Sequence, residues 1–153
     1  MTARKQAFIS YSHADKEYVD RLRLHLKPLE DKYDFEIWND DKIKVGDKWK
    51  EEIRENLEKS TVVVLVISAD FLASDFVMKY EYPEALKMAQ AQGTKIVVVI
   101  ASPCLFDEFE ISEFQAVNSS EETLLDLEEK SADQERVFVK CARIVSRYLK
   151  QGP

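Results

Sequence analysis

Two stretches, Val62-Val63-Val64-Leu65-Val66-Ile67 and Ile96-Val97-Val98-Val99-Ile100-Ala101, are each six residues long, apolar throughout and rich in β-branched side chains. A strand with one face in water alternates polar and apolar residues, whereas one without alternation is covered on both faces. Parallel neighbours need crossover connections, usually helices, and those helices supply the cover. The intervening sequence fits this requirement. Ala7-Phe8-Ile9-Ser10-Tyr11 reads as a first strand and Asp34–Trp38 as a half-exposed second one.

Helical stripes separate the strands. Val19, Leu22, Leu26 and Leu29 recur at spacings of three and four, beginning after a cap at Ser12 or Asp15; Pro28 is expected to shorten this helix. Trp49, Ile53 and Leu57 share one face of a second helix starting at Asp47 or Lys48. After a loop at 68–75, helix-compatible sequence continues through Gln92, with Gly93 in the position that ends helices in the left-handed conformation. Val137, Cys141, Ile144, Val145 and Tyr148 mark a last helix, from about Ala132 to Lys150. Residues 103–130 carry little periodicity; a short edge strand around Phe109–Phe114 is the expectation there. The pattern is α/β: one domain over residues 1–153, with a parallel sheet and helices on both faces.

Composition narrows the function. With 22 basic and 29 acidic residues the net charge is −7, which repels phosphate backbones and disfavours nucleic acid as a partner. No apolar run approaches the ~20 residues needed to span a bilayer, so no membrane span is expected. Cys104 and Cys141 stand far apart without a CxxC pair, so neither a disulfide scaffold nor a metal site is expected, and a reducing cytoplasm suits the chain. Glycine-rich phosphate loops and a GxSxG elbow are absent. His13 and His25 read as polar or capping residues rather than catalytic ones.

In parallel sheets, ligands sit in the loops after the strands' carboxyl ends. The loop after Ile67 packs serines, aromatics and carboxylates together, through Ser74, Phe76, Tyr80, Glu81 and Glu84. Pro83 lacks an N–H and clashes with the carbonyl four residues back, so a helix is either kinked there or begins there, and Glu81 lies beside the break.

Several blocks, in order, resemble a Toll/interleukin-1 receptor (TIR) domain of bacterial type. These are Phe8-Ile9-Ser10-Tyr11-Ser12; Ile37-Trp38-Asn39-Asp40-Asp41-Lys42-Ile43 with Gly46 and Trp49; Ser68 with Phe71-Leu72-Ala73-Ser74-Asp75-Phe76 and Glu81; and Phe114-Gln115-Ala116-Val117-Asn118. The resemblance covers about residues 6–150 and implies a flavodoxin-like three-layer fold with a five-stranded parallel sheet. It implies that Asp41, Lys42, Ile43, Lys44, Val45 and Gly46 belong to the BB loop, through which such domains self-associate. Many members cleave NAD+ at the nicotinamide–ribose bond, by hydrolysis or cyclisation. Others, the alternative here, serve only as interaction modules in immune signalling.

For an enzymatic member, the resemblance makes Glu81 the catalytic carboxylate and places Ser10, Tyr11, Trp38, Asp40, Ile43, Ser74 and Phe76 around the substrate. NAD+ is then a substrate, no cofactor or metal is needed, and the partners are other TIR domains in an oligomer or filament, as in antiphage defence. One departure stands out. Many active members carry a tryptophan four residues before the glutamate, where this chain has Val77; Phe76 stands five before. One residue rotates a helical side chain by about 100°.

Overall fold

The computed structural model describes residues 5–42, 46 and 48–151. Four parallel strands, β1 (Gln6–Ser10), β2 (Glu36–Trp38), β3 (Val62–Ile67) and β4 (Lys95–Ile100), form one sheet in the order β2-β1-β3-β4. Ser10 pairs in register with Leu65, and Ile67 with Ile100, so the strands end together at one edge.

The unalternating strands are sorted by the pleat. Ala7, Ile9, Val62, Val64, Val66, Val97 and Val99 join one core with helices α1 (Lys16–Tyr33) and α5 (Ser131–Gln151). Phe8, Val63, Leu65, Ile67, Ile96, Val98 and Ile100 join a second core with α2 (Trp49–Lys59) and α4 (Tyr82–Gln92). Both faces are covered, which is why the runs show no polar positions and why the fold has three layers.

Four elements differ from the sequence expectation. Pro28 lies inside α1, which runs on to Tyr33; Leu24, whose carbonyl loses its partner to the proline, is 61% exposed, on the side facing water. The stretch after Ile67 contains a short helix, α3 (Ala69–Ala73), because Ser68 caps it by accepting the Phe71 N–H at 3.0 Å. Residues Phe109–Phe114 form tight turns, not an edge strand.

The fifth strand position is filled without a strand. Ala116 makes a single parallel bridge to Val98, with Val117 N–H on the Val98 carbonyl at 2.8 Å. Asn118 then takes over: its Oδ1 accepts the Ile100 N–H and its Nδ2 donates to the Ile100 carbonyl, both at 2.9 Å. One side-chain amide thus imitates the pairing that a strand residue would offer. α4 ends at Gly93 with φ +73°, as its position suggested. Nothing lies within 4 Å of a Cβ placed there, so Gly93→Ala meets only the backbone penalty. That penalty is about 1 kcal/mol, and the melting temperature should fall by roughly 2–4 °C in thermal denaturation.

Candidate active site

Ser10 is the last residue of β1, fully inside, and its hydroxyl donates to Glu81 Oε1 at 2.7 Å. Glu81 reaches it from a wide π turn over Val77–Glu81 that leads directly into α4. Glu81 is only 1% exposed, an unusual place for a carboxyl group that has no cation partner among the described residues.

Its other neighbour is a second carboxyl. Asn39, at the end of β2, accepts the Asp41 N–H on its side chain at 3.0 Å and the Lys42 N–H on its carbonyl at 3.1 Å. That Asx turn folds the chain back and directs Asp40 over Glu81. The Asp40 charge acts on Glu81, and neither Glu81 Oε2 nor Asp40 Oδ1 has a hydrogen-bond partner among the described residues. Two neighbouring carboxylates repel, which favours one of them keeping its proton. Burial, and then the Asp40 charge, push Glu81 up to about 8, with the Ser10 hydrogen bond opposing. Burial raises Asp40 as well, His13 opposing.

Above the pair opens a cleft of about 230 Å³ lined by Tyr11, Ser12, His13, Asp40, Ser74, Phe76 and Val77. The Tyr11 hydroxyl donates to Asp41 Oδ2 at 2.8 Å, and its proton is held tightly by burial and by that carboxylate. Ser74 accepts the Val77 N–H at 3.3 Å and so caps the π turn. Phe76 turns its ring between the cleft and the rings of Trp49 and Tyr80, at centroid distances of 5.1 and 6.1 Å.

Six of the residues that the sequence pointed to therefore converge: Ser10, Tyr11, Asp40, Ser74, Phe76 and Glu81. Trp38 does not join them. It is buried against Phe8, with ring centroids 4.9 Å apart, and packs in the core instead of lining the cleft. Ile43, Lys44 and Val45 lie outside the described residues. Asp41 takes hydrogen bonds from Tyr11 and Lys16, which outweigh its partial burial and hold it below the usual carboxylate range. Lys42 reaches Glu36 at 3.8 Å, and Gly46 is exposed with φ +95°.

His13, which the sequence marks as a polar or capping residue, stands at the site. It sits edge-on to Tyr11 at 5.8 Å, with Nε2 3.8 Å from Asp40 Oδ2, and forms part of the cleft rim. Its place in the loop after β1 was the available signal. His25 belongs elsewhere: it stacks on Phe138 and pairs with Glu135, joining α1 to α5.

Comparison with known proteins agrees with this architecture. The chain is 30% identical over 97 residues, 63% of its length, to an uncharacterized protein, y4lF, of Sinorhizobium fredii. The match spans 30% of that longer protein. The TIR domains in the structure of the activated Roq1 resistosome directly recognizing the pathogen effector XopQ share the fold, with a TM-score of 0.52 and 17% identity over 95% of both chains. The family model for the TIR domain matches residues 7–137. The chain belongs to the TIR domain family.

Proposed function

We propose that this domain is an NAD+ nucleosidase whose catalytic carboxyl is Glu81 and which is switched on by self-association. The observation that carries the reading is a buried glutamate hydrogen-bonded to Ser10 at the carboxyl end of β1 and facing the charge of Asp40, which lines a cleft with an aromatic side. Breaking the bond between C1′ and the nicotinamide nitrogen sends the electron pair to the pyridine, which leaves neutral and needs no acid. The ribose becomes oxocarbenium-like, and a carboxylate beneath it stabilises that charge. Water then adds to C1′, giving ADP-ribose, or an adenine nitrogen adds instead and closes a ring.

The charge state fits this chemistry in a particular way. The resting acid is neutral at pH 7, and a cationic nicotinamide ring entering the cleft favours its ionised form. Because the carboxylate is the working form and exists above the pKa, kcat/KM for NAD+ should rise with pH through a midpoint near 8 and level off above it. A profile that falls across that range contradicts the role.

The cleft, at about 230 Å³, suits a nicotinamide riboside rather than the whole dinucleotide, since drug-sized sites usually run ~300–1,000 Å³. The BB loop of a second copy is the natural source of the remaining wall. Nicotinamide release per subunit should therefore climb steeply with protein concentration or a crowding agent. A constant rate per subunit would count against assembly. The alternative, an interaction module without catalysis, draws support from the near-complete burial of Glu81; it predicts no nicotinamide at any concentration. Bacterial immune defence is the setting this activity would serve. Among the described residues no helix is long and apolar enough to cross a membrane.

A further inference from the structure

The segment that carries Glu81 is helical from Asp75 to Gln92, yet it is not one regular helix. Met78 N–H bonds to the Ser74 carbonyl, four residues back, at 2.9 Å, whereas Tyr82 N–H bonds to the Val77 carbonyl, five back. The wide turn between them holds one residue more than an α-turn. Pro83 supplies the reason. In a regular helix its ring would strike the carbonyl of Lys79, and it has no N–H to give. The extra residue opens the turn just before it, so the helix continues where the sequence suggested a kink or a fresh start.

That residue also resets which side chains share a face. Five residues along a regular α-helix turn a side chain about 140° away from the first, across to another face. Across a π turn, five residues complete the step that four complete in an α-helix. Phe76 and Glu81 are five apart with the wide turn between them. Phe76 lines the cleft, as does Asp40, whose charge acts on the buried Glu81. The far side of the Phe76 ring is held by Trp49 and Tyr80, which leaves its orientation little freedom.

We infer that the π turn is a positioning element: it brings Phe76 into register with Glu81, so that the ring wall and the carboxyl face the same cleft. The wall takes a flat cationic ring, which an aromatic face attracts. This rests on the proposed NAD+ cleavage and adds to it the part that orients the leaving group.

The test shortens or lengthens the turn in the full chain, with NAD+ as the probe and circular dichroism as the check on folding. Deleting Lys79, an exposed residue, together with Pro83→Ala converts the π turn to an α-turn and leaves Phe76 four residues before Glu81. Register is kept, so KM should stay within about threefold of wild type. Inserting one alanine after Met78 rotates Phe76 off the face, and KM should rise about tenfold or more. Phe76→Leu should raise KM about tenfold with a smaller change in kcat, and Phe76→Trp should restore it, as expected for a stacking contact. The insertion tests the turn even if the deletion does not fold, since an unchanged KM there overturns the register role, and the two Phe76 variants test the wall. An unchanged KM in Phe76→Leu, with wild type active, overturns this inference alone. Wild type that releases no nicotinamide under any condition overturns the proposed activity, and the inference with it.

Discussion

Glu81→Gln is expected to lose NAD+ cleavage by roughly 10²–10³ while melting at a higher temperature than wild type. The amide has the shape of the protonated acid. Its oxygen accepts from the Ser10 hydroxyl, so that buried contact survives, and its uncharged nitrogen faces Asp40 without repulsion. What it cannot do is ionise. The folded state holds the Glu81 proton up to about pH 8, whereas the unfolded chain releases it near the ordinary value of 4.5. Between those values the native state binds the extra proton, so wild-type stability declines as pH rises through the window. The glutamine variant lacks this term. At pH 8 its advantage should be on the order of 4 kcal/mol, or roughly 10 °C, and it should shrink towards pH 5. Thermal melts across that range check the stability, and nicotinamide release checks the rate. A variant that is inactive because it is less stable would contradict the account.

Phe8→Ala should be the most damaging single truncation beside the site. Phe8 is fully buried on β1, packed against the tilted ring of Trp38, in the core shared with α2 and α4. Such a deletion costs about 3–5 kcal/mol through lost transfer energy and the cavity left behind. Domains of this size are usually stable by only about 5–15 kcal/mol. The melting temperature should fall by roughly 10 °C or more, and Ser10, two residues on, would lose its firm platform beneath Glu81. A fall of less than about 3 °C, read by circular dichroism, would show that Trp38 repacks and that this contact matters little.

The layers were legible because the sheet is buried on both sides. Val62–Ile67 and Ile96–Ile100 announced that condition directly, and the helices around them kept a 3.6-residue period. Local chemistry that carries no period was not legible. Asn118 closes the sheet with a side-chain amide, and Ser68 builds a short helix by capping it. The leucine stripe of α1 holds its helix together across Pro28. Most of the site lay in the loops where parallel sheets gather ligands, so Ser10, Asp40 and Glu81 could be named from position and resemblance. Their mutual contact could not, since it depends on an Asx turn at Asn39. Trp38 misled because a tryptophan at a strand's end serves a core and a ligand equally well. The spacing of Phe76 looked like a departure until the turn that accommodates it was seen.

The most direct measurement is the amount of nicotinamide released from NAD+ by wild type and by Glu81→Gln, side by side at high protein concentration, with both shown to be folded. Turnover by wild type that drops at least a hundredfold in the variant is the predicted result. Turnover of equal size in both would contradict the assignment of Glu81.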